Sequence, residues 1–201
     1  MDESGHSNRH GRHAGHRFEP DGDVTERLEG REREEAIPAD EVVRRLGFSS
    51  KGLSVDLGAG TGYFSFPLSE FAGEVLSIDI EPKMLEVMTG RISERAIGNI
   101  QLVQGEITSV PLADSSADHV LAAFVYHEVA SQKRLLAECA RVLRPGGRLD
   151  VIDFQKRETS FGPPVGERKS PEHVIRTAGK QFRLESRFET DVFYQLGLSK
   201  K

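Results

Sequence analysis

Short aliphatic runs at residues 53–57, 75–80, 100–103, 119–124 and 149–154 have the length of β-strands, while segments 63–71, 84–97 and 133–143 repeat apolar residues at helical spacing. Strands that alternate with helices in this way must be joined by crossovers, because parallel neighbours cannot be linked by a tight turn. The pattern therefore predicts a doubly wound α/β domain, a mostly parallel sheet with helices on both faces. Ser131 is placed to cap the third helical segment, and Pro145-Gly146-Gly147 to end it. Upstream, Pro38 starts a short helix carrying Val42, Val43 and Leu46, with Gly47 as its stop. Downstream, Ser170-Pro171-Glu172 opens another helix. Two β-rich runs, 182–190 and 192–199, then follow with only Asp191 between them. So short a joint permits an antiparallel pair at one edge of the sheet and no parallel crossover.

Residues 1–35 have a different character. Sixteen of them are Asp, Glu, Lys or Arg and only five are apolar, too few to offset the entropy of ordering them. The expectation is a charged N-terminal segment, 1–35, followed by one folded domain, 36–201. Within that segment 1–17 are expected to be disordered, and 24–35 to form a charged helix only against another surface, as a solvated face or as a lid. His6, His10, His13 and His16 lie among glycine and polar residues with no preset ligand geometry, so no metal site is expected there.

A net charge of −5 gives no global basic field to attract nucleic acid or anionic lipid. No apolar run reaches the ~18–20 residues of a membrane span, and no signal-type apolar stretch opens the sequence. The single cysteine, Cys139, rules out an internal disulfide framework. These features predict a cytoplasmic protein without membrane insertion and without a nucleic-acid partner.

Val55-Asp56-Leu57-Gly58-Ala59-Gly60-Thr61-Gly62 stands where the first strand passes into the first helical segment. Glycines at 58, 60 and 62 allow a sharp turn and a close approach of backbone to ligand, and the helix behind them aims its N–H groups at whatever is bound. The same pattern also serves as a plain tight joint. A dinucleotide fingerprint would place a third glycine where Tyr63 stands, which argues against NAD or FAD. Asp56 at the mouth of the strand would repel a pyrophosphate and attract a cationic centre. Asp79, twenty-one residues after Gly58, closes the second strand where an acid can accept from two ribose hydroxyls, or be an ordinary surface carboxylate. Glu106, after Gly105, can accept from an exocyclic amine while Ile107 packs on a ring.

Four segments, VDLGAGTGYF (55–64), SIDIEPKML (77–85), Gly105-Glu106-Ile107 and ARVLRPGG (140–147), together resemble the class I S-adenosylmethionine-dependent methyltransferases. The similarity is strongest to the small-molecule branch that includes the enzymes of ubiquinone and menaquinone biosynthesis, over residues 38–154. It implies a Rossmann-like fold of seven strands with the last antiparallel, and S-adenosylmethionine as co-substrate. It further implies that Asp56 and the turn Gly58, Ala59, Gly60, Thr61 and Gly62 hold the methionine moiety. Asp79, with Ile80 beside it, would bind the ribose, Glu106 and Ile107 would meet the adenine, and Phe124 would pack near the cofactor. Relatives mostly carry Asp where this chain has Glu106.

Methyl transfer from a sulfonium needs alignment more than acid–base chemistry, and a base only when the acceptor must lose a proton. His127, in Phe124-Val125-Tyr126-His127-Glu128 after the fourth strand, is the candidate base; its other reading is a structural histidine orienting that loop. Tyr126 reads as a pocket wall, and loop 155–169 as an acceptor-side flap. The expected activity is methyl transfer to a small-molecule acceptor. The alternative is a non-catalytic protein that binds S-adenosylmethionine or S-adenosylhomocysteine as a sensor or partner subunit. Substituting Gly60→Val separates ligand binding from a mere tight joint. A β-branched side chain there should abolish S-adenosylhomocysteine binding by calorimetry while circular dichroism stays that of a folded protein. Wild-type affinity in a folded Gly60→Val chain would remove the turn from the site.

Overall fold

The computed structural model describes residues 29–48 and 50–201, so the expected disorder of 1–17 and most of the charged segment lie outside the described residues. In chain order the elements are helices α1 (Arg31–Ala36) and α2 (Ala39–Arg45), strand β1 (Ser50–Leu57), helix α3 (Ser65–Ser69), strand β2 (Ala72–Asp79) and helix α4 (Pro82–Glu94). Strands β3 (Ile100–Gln104) and β4 (Ala117–Ala123), helix α5 (Gln132–Val142), strand β5 (Leu143–Phe154), helix α6 (Pro171–Ala178) and strands β6 (Phe182–Glu189) and β7 (Phe193–Lys200) complete the domain. The seven strands form one sheet in the order β3-β2-β1-β4-β5-β7-β6. β1 to β5 run parallel, while β7 is antiparallel to both β5 and β6. The order reverses between β1 and β4, the switch point at which open α/β sheets leave a crevice beyond their carboxyl ends.

The two faces of the sheet carry separate apolar clusters. One joins Val55, Ile78, Val120 and Val151 to Leu135, Leu136 and Cys139 of α5 and Val174 of α6. The other joins Val75, Leu121 and Ile152 to Val42 and Val43 of α2, Phe66 and Leu68 of α3, and Met88 of α4. Every residue of β4 is buried, Asp118 and His119 included, and the rest of the strand is aliphatic.

Local chemistry sets most boundaries. Ser131 and Ser170 cap α5 and α6, their hydroxyls accepting from Arg134 N–H and His173 N–H. Thr190 closes the β6–β7 hairpin: its Oγ1 accepts from the N–H groups of Val192 and Phe193. Two boundaries differ from the sequence expectation. The helix read at 63–71 is only α3, because the glycine turn runs on through residue 64 before the helix can start. After α5 the chain does not pause at Pro145-Gly146-Gly147 but joins the sheet at once, Leu143 pairing with Ala117. Gly146 at φ +74° makes the bulge that follows, and a Cβ on Gly147 would lie 2.9 Å from Arg144 O.

Loop 155–169 is pinned rather than free. Arg168, 2% exposed, donates to the carbonyls of Gln155, Arg157, Phe161 and Pro163 and lies over the Phe154 ring. A methionine there keeps the stem's packing and removes every donor, leaving those carbonyls to find water. Arg168→Met should lower stability by about 1.5–3 kcal/mol, the scale of hydrogen bonds to a charged donor. Limited proteolysis should then cut within 155–167; an equally protease-resistant variant would show that the carbonyls are held otherwise.

Candidate active site

At the end of β1 the backbone turns through Gly58, Gly60 and Gly62 at φ +71°, +55° and +91°. Space as well as torsion demands glycine: a Cβ on Gly58 would lie 2.7 Å from Val125 Cγ2, and one on Gly62 2.6 Å from the Phe66 ring. The turn is tied to β2 by Gly58 N–H and Ala59 N–H donating to Ile78 O. Asp79 adds a second tie, one carboxylate oxygen accepting from Gly60 N–H at 2.7 Å and the other from Glu81 N–H at 2.9 Å. Burial raises the Asp79 pKa while the amides of Glu81, Gly60 and Ile80 pull it back. Gly105 N–H donates to Asp79 O, which sets the Gly105-Glu106-Ile107 turn beside it. Glu106 is exposed, and Ile80 and Ile107 are half-buried.

Asp56 lies one layer deeper. Its carboxylate accepts from Ser65 Oγ, which in turn accepts from Ser77 Oγ, so it anchors the start of α3 to the sheet. Burial, with the neighbouring Asp79 adding to it against the Ser65 hydrogen bond, pushes its pKa up to about 7.

Across the switch point, β4 is followed at once by Phe124, a phenylalanine in the left-handed region at φ +55°. So bulky a residue is held there only by its surroundings. Its ring packs among Phe64, Phe154 and Phe193, and its N–H donates to Ile152 O. The next residues swing His127 onto β5. Its Nδ1 lies 2.7 Å from Asp153 Oδ1, and its backbone N–H donates to Asp153 Oδ2 at 3.0 Å. Asp153 is wholly buried and was not singled out from the sequence; the only signal was a carboxylate inside an otherwise aliphatic strand end. Burial works to lower the His127 pKa, but the Asp153 hydrogen bond and the charges of Asp153, Glu128 and Glu167 outweigh it, and the net direction is up. Glu128 lies 3.7 Å from His127 Nε2, and burial brings its own pKa up to about 7. Tyr126, read above as a pocket wall, is instead fully buried in the core beside Leu135 and Val174. The turn that swings His127 onto β5 carries its neighbour under the sheet.

Helix α1 and Glu29, two residues ahead of it, lie over the turn. Glu29 accepts from Thr61 Oγ1 and from Arg91 Nη1, and Arg91 also donates to Thr61 O. Tyr63 Oη donates to Ile37 O at 2.8 Å, and the Arg33 guanidinium lies over the Phe124 ring, 4.9 Å from its centroid. Thus the turn, Asp79, the 105–107 turn, Phe124 and His127 share one edge of the sheet, with Asp56 behind it and α1 across it.

These residues fit an S-adenosyl cofactor in kind: a backbone cradle without side chains at Gly60, an acid at the end of β2, and a charged cover over the turn. Comparison with known proteins agrees. Residues 55–151 match the methyltransferase domain family. A ubiquinone/menaquinone biosynthesis C-methyltransferase of Acidiphilium cryptum is 37% identical over 118 residues, 58% of this chain and 47% of that protein. The protein of the same description from Haemophilus ducreyi is 40% identical over 111 residues, 53% of this chain and 43% of that protein. The chain therefore spans about half the length of these relatives. The crystal structure of an S-adenosylmethionine-dependent methyltransferase from Aquifex aeolicus superposes with a TM-score of 0.82 at 23% identity, covering 91% of this chain and 100% of that one, a likeness of fold. Residues 55–151 thus carry the match to the methyltransferase domain family, and the fold is that of the Aquifex aeolicus methyltransferase.

Proposed function

We propose that the chain transfers a methyl group from S-adenosylmethionine to a small-molecule acceptor, with His127 taking the acceptor's proton. The observation that carries this reading is the His127–Asp153 pair at the same sheet edge as the glycine turn and Asp79. The cofactor would supply an electrophilic methyl on a sulfonium, so the chemistry left to the chain is alignment and proton handling. Asp79 and Ile80 would hold the ribose and Glu106 and Ile107 the adenine, while Asp56 and the turn Gly58, Ala59, Gly60, Thr61 and Gly62 would hold the methionine end, with Phe124 packed near the cofactor.

Asp153 decides what His127 can do. When Nδ1–H donates to a buried carboxylate, the neutral ring keeps its lone pair on Nε2, and the acid stabilises the imidazolium that forms when Nε2 takes a proton. Positioned in this way, Nε2 suits an acceptor such as a hydroxylated ring. A hydroxyl proton taken up by Nε2 would leave an adjacent ring carbon able to bond the methyl that the cofactor would supply, with S-adenosylhomocysteine leaving; that carbon's own proton would then go to solvent, and the imidazolium would return its proton to the ring oxygen. The relatives named for ubiquinone and menaquinone biosynthesis make quinols the first acceptors to try. A small molecule rather than nucleic acid agrees with the cover formed by α1. A cytoplasmic setting agrees with Cys139, a buried free thiol.

Production of S-adenosylhomocysteine from S-adenosylmethionine and a quinol panel tests the activity directly. Cofactor binding without turnover on any acceptor would reassign the chain as a binding protein. His127→Gln should cut kcat by about 10²- to 10⁴-fold, the range for a positioned base, with S-adenosylhomocysteine affinity held within about threefold. Undiminished turnover would leave His127 a structural residue. Because the His127 pKa is raised, turnover should rise with pH along a limb lying above 6.5 as the ring loses its proton. Asp153→Asn removes the charge that favours imidazolium, so that limb should move to lower pH while kcat falls; an unmoved limb would show that another group titrates.

A further inference from the structure

The half-buried arginines of the domain use their donors, with one exception. Arg91 donates to Glu29 and Thr61, Arg141 to Glu138, and Arg148 to Asp150. The fully buried Arg168 is spent on loop carbonyls. Arg33 is different. Its Nε is shut off from solvent without a hydrogen-bond partner, and among the described residues its guanidinium meets only two aromatic faces, Phe124 and Tyr63 at 4.9 and 5.8 Å. Cation–π contact offsets part of the desolvation of a guanidinium but satisfies none of its N–H donors. A buried N–H left open at Nε, on a guanidinium held by aromatic faces, is one prong of a fork shaped for a planar two-oxygen anion.

The position of the guanidinium adds to this. Tyr63 directly follows the glycine turn, and Phe124 directly follows β4, three residues before His127. Arg33 therefore stands between the turn and the proton-handling pair, reached by the charges of Glu29, Asp153 and Glu128 but bonded to none of them. Those acids are themselves engaged: Glu29 with Thr61 and Arg91, Asp153 with His127. Among the described residues no carboxylate is hydrogen-bonded to the guanidinium, whose pKa burial pulls down against the nearby charges.

We infer that Arg33 is the seat of a ligand carboxylate in the covered crevice, gripping it through its guanidinium fork while Phe124 and Tyr63 hold the guanidinium plane. The carboxylate has two chemical sources, the amino-acid end of the cofactor and an anionic acceptor. In either case α1 becomes part of the binding site rather than a passive cover, and the inference rests on the methyltransferase reading above.

The test uses the full chain, Arg33→Met to keep the stem and Arg33→Lys to keep the charge without the fork, with circular dichroism to confirm folding. Calorimetry would compare S-adenosylhomocysteine with its decarboxylated analogue, and benzoate would be titrated with and without S-adenosylhomocysteine present. If the cofactor supplies the anion, Arg33→Met should weaken S-adenosylhomocysteine about 10- to 100-fold and leave the decarboxylated analogue unchanged, with Arg33→Lys between. If the acceptor supplies it, S-adenosylhomocysteine binding stays as in the wild type and benzoate binding weakens about tenfold. Unchanged binding of both probes in folded Arg33→Met would overturn the seat while wild-type cofactor binding keeps the methyltransferase reading. A wild-type chain that binds no S-adenosylhomocysteine would overturn that reading instead, and the benzoate titration without cofactor would still judge Arg33.

Discussion

Three left-handed glycines at the end of β1 return the chain against β2, and the rest of the site depends on that turn. With side chains at 58 or 62 it would collide with Val125 or Phe66. Once made, it places Gly60 N–H on the Asp79 carboxylate and stacks the ends of β1, β2 and β3 into one edge. The crevice at the strand-order reversal then follows from topology, since β4 lies on the other side of β1.

The acids around this edge are held in graded environments, and the grading separates their roles. Asp56 is deepest and serves the scaffold through Ser65; burial makes it a reluctant anion. Asp79 is nearly as buried but receives two backbone N–H groups, a local arrangement that compensates its charge at the rim. Asp153 is fully buried and faces an imidazole, so its charge is balanced by a group that can itself gain or lose a proton. Three carboxylates of one chemical kind thereby become an anchor, a rim acceptor of backbone N–H groups and the partner of an imidazole.

Across this edge, α1 adds cationic and acidic groups from a segment that has almost no core of its own. Glu29 bridges Thr61 and Arg91, and Ile37 behind the helix is fully buried among the residues of α2 and α3. The attachment is thus polar above the turn and apolar behind it. A cover built in this way can hold a charged side chain such as Arg33 over aromatic rings without burying a large surface of its own.

The local pattern of the sequence determined the alternation of strands and helices, the serine caps, the glycine turn and the C-terminal hairpin, because each rests on neighbouring residues: side-chain period, a hydroxyl beside free N–H groups, or a torsion open only to glycine. Asp79 was legible for the same reason, at the end of a readable strand one crossover from the turn. The His127–Asp153 pair was not, because 26 residues separate its members and only the pairing of β4 with β5 brings them together. Tyr126 and Leu143 were misjudged on similar grounds, since a buried side and an early entry into the sheet depend on which strand lies alongside. Arg33 belongs with them: as one charge among sixteen in a polar segment it carried no signal, and only the packing of α1 over Phe124 and Tyr63 singled it out. Residue type and spacing decided which groups the chain possesses, and tertiary structure alone decided which of them are stripped of water and set facing one another.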